Sequence, residues 1–574
     1  MSPYFVSTYM HNLTTQNQTA RPRRFQSFLG ACALLSASAA GAQTSFGAAK
    51  TPAGVRAAAH GSGVIQIDTR SGSGAAIAPR MIGAQFNFSY QPLRMPDRSA
   101  VLMDGWKQAH ISVLRYPGGT WGDHYIWDHP EASYFAIPWA NAKSIVTPEE
   151  FVSICRQVGA EPIFQVNMVS RGINQDNHVN PTKIADIRAG AQWAASWVRQ
   201  ANIKNGWGVK YWELGNELWI WLHPDEYARA VVEYSKAMKA VDPTIKIIAC
   251  GLSGKVGPLG AGWLKFPDDP AWVPRENIYN DPESWDGALF TIAKGYFDYI
   301  APHPYLSAKE SGYKGDDARG IYLKTTAIIW DRTHLKTMDA IEKKRHVSVP
   351  LAITEWGTNF DRSVAGSGGY KPGLYFYSQG NGLNHAHYLG EMIAQGSAKM
   401  AVMHSLDEVQ TMWFWPKNEL GARPLDHPAY LALKLWGNNL GKRRLSQTAT
   451  GVPTLKIDGK AYPAVFTFAS EDDGNVYLMA INLDPDKAHQ FRWNYKGATL
   501  AKQARLSLVS SENLDSDNWA SWGKDEQSIE IKDSALRNTN AGCAFELPAH
   551  SMAGIKIAKV SVKPLPTKEN KHRQ

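Results

Sequence analysis

The sequence predicts an α/β protein, a (β/α)8 TIM barrel with a C-terminal all-β sandwich, and three observations predict it. Eight short apolar runs recur between segments with helical periodicity: 80–88, 111–119, 161–169, 209–217, 245–251, 297–305, 349–357 and 399–406. They are continuous rather than alternating, as strands covered on both faces should be, and no glycine-rich dinucleotide fingerprint opens the series, which favours a closed barrel over an open doubly wound sheet. From about residue 441 the helical segments stop, and strand-like runs such as "AVFTFAS" and "NVYLMAINL" follow one another across turn residues.

Taken in order, residues 1–42 read as an export signal. Arg21, Arg23 and Arg24 precede the apolar run "FLGACALLSASAAGA", which ends in a small-x-small site before Gln43. The run is too short to anchor in a bilayer, so the expectation is a secreted or periplasmic protein without a membrane anchor. Residues 43–61, rich in Ala, Gly, Ser and Thr, read as a linker. Residues 62–79 carry the strand "GVIQIDT", assigned to the sandwich; 80–440 form the barrel, 441–560 the sandwich, and 561–574 a basic tail. Within the barrel, Thr147 followed by Pro148 marks a helix start. Long inserts after the fifth and seventh runs belong at the C-terminal face, where barrels build their sites.

Composition narrows the function. With 44% hydrophobic and 20% charged residues the chain is globular. Without residues 1–42 the formal charge falls from +9 to about +6, and the tail carries half of that, so nucleic acid is not the expected partner. Cys155, Cys250 and Cys543 are an odd set without metal or disulfide spacing. Most of the 21 tryptophans must pack in cores, but this many also suits a surface that stacks the apolar faces of sugar rings. Nothing in the sequence assigns an oligomeric state.

The chemistry concentrates at the ends of the runs. Asn216-Glu217 closes the fourth and Glu355 the seventh, so two carboxylates from different strands project over one mouth, the pair that glycoside hydrolysis uses. Arg115 closes the second run beneath them, where its charge keeps a neighbouring carboxylate ionised. Asn167 ends the third. His303 and Tyr305 alternate at the end of the sixth and share a face. Trp356 and Trp413 join the candidate binding set, among several tryptophans at or beyond strand ends. Glu213, one turn of alternation below Glu217, reads as a buried ion-pair partner or core acid. The histidines at 385 and 387 and the "GDHYIWDHPE" cluster lack the spacing of a metal site.

The set Arg115, Asn216-Glu217, His303-x-Tyr305 and Glu355 resembles the retaining glycoside hydrolases of clan A. The stretches "VLRYPGG", "EPIFQVNM", "YWELGNE", "AMKAVDPTIKIIACG" and "FELPAHSMAGIKI" look closest to family 51, the α-L-arabinofuranosidases and some endoglucanases, over residues 63 to 558. The resemblance implies Glu217 as acid/base, Glu355 as nucleophile, Asn216 as donor to the sugar's 2-hydroxyl, Tyr305 as donor to the nucleophile and Arg115 beneath it. It implies a polysaccharide or oligosaccharide substrate and no metal or cofactor. Two positions depart. The arabinofuranosidases follow Pro-Gly-Gly with Asn, here Thr120, and carry a sugar-binding Glu on the first strand, where this chain has Gln85 or Asn87. Competing expectations are an endo-β-glycanase, a β-uronidase gripping its carboxylate with Lys309, Lys314 or Arg319, and a carbohydrate-binding protein on a barrel scaffold.

Overall fold

The computed structural model describes residues 63–72, 74–86, 96–131, 133, 145–169, 184–220, 222–254, 280–308, 311–315, 317–359, 374–404, 426–518 and 528–560. The expected signal, linker and tail, together with Asn87, Lys309 and Trp413, lie outside them.

Ten strands open the described chain: β1 (Ile65–Arg70), β2 (Arg80–Gln85), β3 (Val113–Tyr116), β4 (Glu161–Val166), β5 (Tyr211–Leu214), β6 (Lys246–Cys250), β7 (Tyr299–Ala301), β8 (Tyr305–Leu306), β9 (Leu351–Thr358) and β10 (Ala398–Met403). β2 to β7, β9 and β10 pair in parallel, and β10 pairs with both β9 and β2, which closes an eight-stranded barrel. Each strand corresponds to one of the eight apolar runs. The sixth run departs from the single strand expected over 297–305. Pro302 and Pro304 flank His303 and remove two ladder donors, so β7 stops at Ala301 and β8 pairs with β9 beyond the barrel, Tyr305 opposite Gly357.

Period-two alternation sorts the barrel interior into layers. Val113, Ile163, Tyr211, Ile248, Ala301, Ala352, Met400 and Val402 pack into one apolar cluster that plugs the lower barrel. Two residues further along the same strands stand Arg115, Gln165, Glu213, Cys250, His303, Thr354 and His404. A dry floor thus carries a polar layer directly beneath the mouth. Helices cover the outside. Pro148–Val158 shows how locally they are specified: the Thr147 hydroxyl accepts from Glu150 N, the Glu150 carboxylate accepts from Thr147 N, and Gly159 ends the helix in the left-handed region at φ 79°.

The β domain contains β11 (Arg443–Arg444), β12 (Ser446–Thr450), β13 (Thr454–Ile457), β14 (Lys460–Pro463), β15 (Val465–Glu471), β16 (Asn475–Asn482), β17 (His489–Lys496), β18 (Leu500–Val509), β19 (Lys532–Thr539), β20 (Gly542–Leu547) and β21 (Ser551–Lys559). The strand order is β11-β15-β16-β21-β18-β19-β20-β17-β1-β12, so the first strand of the described chain lies inside this sheet, parallel to β17 and antiparallel to β12. Its Ile65 and Ile67 enter a core with Phe491, Trp493, Phe545 and Ile555. β15 and β16 are buried on both faces: Val476, Leu478 and Ala480 face that core, while Phe466, Phe468, Met479 and Ile481 join the barrel's outer core with Leu389 and Trp436. This double burial explains why "NVYLMAINL" reads as one apolar run. Exposed ion pairs also link the two parts, Arg319 to Asp486 at 2.5 and 2.6 Å and Lys324 to Asp458 at 2.7 Å.

Candidate active site

The polar layer converges on Arg115, which is fully buried. Its Nε donates to Glu213 Oε2 at 2.5 Å, one terminal nitrogen donates to Gln85 Oε1 at 2.7 Å and to Glu355 Oε1 at 2.5 Å, and the other donates to Asn216 Oδ1 at 2.9 Å. One guanidinium therefore ties together side chains from β2, β5, β9 and the segment after β5. Burial by itself would favour loss of its proton, but Glu213 and Glu355 outweigh that and hold the cation firmly protonated.

Glu355 and Glu217 offer oxygens within 4.8 Å of each other, and their surroundings differ. Burial would raise the Glu355 carboxyl; His303, Arg115, His404 and the Tyr305 hydroxyl, which donates to Oε2 at 2.6 Å, reverse this and hold it well below the usual range. Glu355 is thus a carboxylate under near-neutral conditions. Glu217 is 3% exposed and its Oε1 lies 3.0 Å from His303 Nδ1. Burial lowers the His303 pKa, but Glu355 and bonds to Glu213 and Glu217 more than restore it, to about 9. A protonated ring fits the geometry: Nδ1 donates to Glu217, and Nε2 donates at 3.0 Å to the Thr354 hydroxyl, which donates to Glu213. Glu213 is itself drawn down, since Arg115 and His303 overcome the effect of burial.

The chain around Glu217 adopts an uncommon backbone. Gly215 sits at φ 77°, and a Cβ there would stand 2.3 Å from Leu218 Cδ1, so glycine is required. Glu217 has φ 48°, in the left-handed region although it carries a side chain, a conformation that costs roughly 1–3 kcal/mol and needs its neighbours to hold it. Gly119, at φ 60°, brings the loop after β3 close: a Cβ there would lie 3.7 Å from Glu355 Oε1.

The structure brings Arg115, Asn216, Glu217, His303, Tyr305 and Glu355 into one cluster. Asn167 lies elsewhere in the layer: its Nδ2 donates to Tyr125 O at 3.1 Å and its Oδ1 accepts from Val169 N at 2.9 Å, an arrangement that pins the loop after β3. Trp356 is fully buried against His385 and Tyr388, with ring centroids at 5.5 and 5.8 Å. Three residues have no site role in the sequence reading: Asp123, named there only within the "GDHYIWDHPE" cluster, whose carboxyl oxygen accepts from Asn216 N; Thr354, which bridges Glu213 and His303; and His404, whose ring meets that of Tyr305. The last two have a visible signal, a polar residue at an inward position of an apolar run. Arg319, a candidate for gripping a uronate, is engaged by Asp486. His385 and His387 are buried in the helix Gln379–Gln395, on the outer core rather than at the mouth.

Among the described residues one group has metal-like proximity: Glu217, His303 and Glu355 each offer an atom within 4.8 Å of the others. Metal–ligand bonds are near 2.0–2.2 Å, and the Arg115 guanidinium already supplies a cation 2.5 Å from Glu355. The cluster is therefore better matched to a neutral substrate between two acids than to an ion.

Comparison with known proteins bears on the family and the fold. Residues 106–289 match the family model described as an alpha-L-arabinofuranosidase 1 domain. Among curated proteins, the intracellular exo-alpha-(1->5)-L-arabinofuranosidase of Acetivibrio thermocellus is 28% identical over 298 residues, 46% of this chain and 52% of that protein. The corresponding enzyme 1 of Bacillus subtilis is 26% identical over 300 residues, 48% of this chain and 54% of that protein. The chain thus spans about half the length of the curated relatives it matches. The α-L-arabinofuranosidase of Thermotoga maritima, solved as an arabinose complex, superposes with TM-score 0.62 at 18% identity, covering 86% of this chain and 100% of that one. A family 44 xyloglucanase of Paenibacillus polymyxa gives TM-score 0.54 at 14% identity, covering 87% and 100%. The structural likenesses carry the fold, a barrel with a β domain. With the sequence matches they support the resemblance to clan A glycoside hydrolases close to the family 51 arabinofuranosidases. They also correct one expectation: the relatives from A. thermocellus, B. subtilis, Halalkalibacterium halodurans and Streptomyces lividans are all named intracellular, which overturns the secreted or periplasmic location read from residues 1–42. That reading rested on the basic residues, apolar run and small-x-small site of residues 1–42. No helix of the described residues is long and apolar enough to cross a membrane.

Proposed function

We propose that this chain hydrolyses glycosidic bonds by double displacement, with Glu355 as nucleophile and Glu217 as acid and base. One observation carries the reading. Two carboxyl groups, one on β9 and one in the segment that follows β5, bring oxygens within 4.8 Å of each other, in unlike surroundings. Retaining enzymes separate their carboxyl groups by about 5–5.5 Å, whereas inverting enzymes need roughly 6.5–9.5 Å to admit a water. Oxygens within 4.8 Å are compatible with the closer, retaining arrangement, in which Glu355 itself attacks the anomeric carbon.

The division of labour follows from the partners. Arg115 and Tyr305 hold Glu355 ionised and fix the direction of its oxygens. Their hydrogen bonds also stabilise the carboxylate as a leaving group when the glycosyl-enzyme is cleaved. Glu217 protonates the departing oxygen and then takes a proton from the attacking water, with His303 Nδ1 beside it to stabilise the anion formed in between. Asn216, oriented by Arg115, presents its amide nitrogen toward the sugar.

The proposed substrate class is an α-L-arabinofuranoside within an oligosaccharide or polysaccharide, supported by the names of the matched relatives. Gln85, which accepts from Arg115 and is with Asn87 one of the two residues this chain offers where the resemblance implies a sugar-binding glutamate, favours a second reading, an endo-β-glycanase with a different innermost sugar. Aryl arabinofuranosides beside a panel of plant glycans separate the two readings.

The roles are tested with Glu355→Ala and Glu217→Ala on whichever substrate that panel identifies. Glu355→Ala should lose activity on every leaving group, because no glycosyl-enzyme forms. Glu217→Ala should still glycosylate from an activated aryl glycoside, and azide should restore its turnover with a glycosyl azide of retained configuration. The opposite pattern reverses the two roles, and near-normal rates in both variants remove the proposal.

A further inference from the structure

The proton donor proposed above sits on a backbone that glycine and a left-handed glutamate make unusual, and something must hold it. The structure assigns this task to Asp123: we infer that its carboxyl group is a positioning residue, which clamps the Asn216 peptide and thereby aims Glu217 at the leaving oxygen. The inference rests on the reading of Glu217 as the acid.

Asp123 is completely buried on the loop that follows β3. Its Oδ1 accepts from Asn216 N at 3.0 Å, across 93 positions of sequence, and from Gln165 Nε2 at 3.3 Å. Gln165 stands on β4 and also donates to Gly119 O at 2.9 Å, so a barrel strand grips the loop that carries Asp123. Asn167, two residues further, donates to Tyr125 O of the same loop. Gly122 permits this close seat, since a Cβ there would meet the Gln165 amide at 2.6 Å. Asn216 is consequently held at both ends, its N–H by Asp123 and its side-chain oxygen by Arg115. The residue so clamped immediately precedes Glu217 at φ 48°. A turn of the Gly215–Asn216 peptide would swing the Glu217 carboxyl away from its place beside His303.

What Asp123 contributes is an acceptor, not a charge. Burial pushes its carboxyl well above the usual carboxylate range, although Asn216 N, Arg115 and Gln165 oppose this, and so favours the uncharged form. An asparagine is the isostere of that form and keeps the oxygen that accepts from Asn216 N.

The test compares Asp123→Ala and Asp123→Asn on two substrates of the same glycone, one with an activated aryl leaving group and one with a natural sugar alcohol, using Glu217→Ala as the reference. Misplacing a reacting group by about 1 Å can cost on the order of 10²-fold. Asp123→Ala should therefore lower kcat/KM, which reports the glycosylation step, by about 10–100-fold on the natural linkage and by less than about 3-fold on the aryl substrate. Asp123→Asn should recover most of the loss. A defect of general folding would depress both substrates alike, and that equal loss, or an asparagine variant as poor as the alanine one, overturns the proposal. If Asp123→Ala fails to fold, Gln165→Leu provides the second variant: it removes the amide that donates to both Gly119 O and Asp123 Oδ1 and should show the same dependence on leaving group at smaller amplitude; absence of that dependence counts against the proposal. Should Glu217→Ala itself show no dependence on leaving group, the assignment of the acid fails first; should it show one while Asp123→Ala does not, only the positioning role fails.

Discussion

Replacing Arg115 with methionine should destabilise the protein in a way that depends on pH. Methionine retains an apolar stem but removes the guanidinium that Glu213 and Glu355 share at 2.5 Å each. Removing one partner of a buried ion pair costs about 3–5 kcal/mol, because the other charge stays buried and uncompensated. Two carboxylates are orphaned here, but His303 remains 3.7 Å from Glu355 and 3.9 Å from Glu213, so the lower end, about 3 kcal/mol, is expected at pH 7. The sign of the pH effect follows from the carboxylates. In the native protein both lie below their unfolded values, so between pH 7 and 5 they are ionised in both states and contribute no pH dependence. In the variant, burial dominates and lifts them above their unfolded values. The folded variant then takes up protons as the pH falls through that window, and the gap to the native protein narrows. Thermal unfolding of both proteins at pH 7 and pH 5 reads this directly. A loss below about 1 kcal/mol at pH 7, or one unchanged at pH 5, refutes the account of Arg115 as the neutralising centre.

Tyr305→Phe removes a donor to the charged form of Glu355, so the acid limb of the pH–rate profile should move to higher pH and kcat/KM should fall by about 10-fold, measured on an aryl glycoside. His303, raised to about 9, contributes stability that is complete below about pH 6.5 and is lost as the pH rises through about 9; a His303→Gln variant should lack that alkaline loss in melting experiments. Phe466→Ala, at the seam where its ring meets His387 at 5.4 Å and Trp330 at 6.1 Å, should cost about 3–5 kcal/mol, and a chain ending near Gly441 should aggregate because the same seam is left bare. Arg319→Ala, by contrast, breaks an exposed pair and should change stability by less than about 1 kcal/mol and activity not at all.

Much of this was legible in sequence because strands buried on both faces leave continuous apolar runs, and because a barrel sends their ends to one mouth. Glu217 and Glu355 needed only that inference to be placed together. Asp123 did not yield to it. It precedes Asn216 by 93 positions, and its loop has neither strand nor helix period to fix a facing direction. Asn167 shows a related limit, that strand position fixes a direction but not a partner: backbone groups of Tyr125 and Val169 engage its amide. The split of the sixth run at Pro302 and Pro304 was written in the sequence, since two prolines in three residues cannot sit within one ladder.

The seat of β1 inside the β domain has a consequence for how the chain must be made. Thr69 donates to Asn494 O, a partner 425 positions later. At synthesis rates of about 5–20 residues per second, the first strand waits roughly 20–85 s for that partner to emerge from the ribosome. Throughout that time Ile65 and Ile67 have no core to enter, while the whole barrel is being translated behind them. A rearranged gene that begins at β2 and encodes β1 after β21 would bring strand and partner off the ribosome almost together, and its nascent chain should need less chaperone protection than the natural order does.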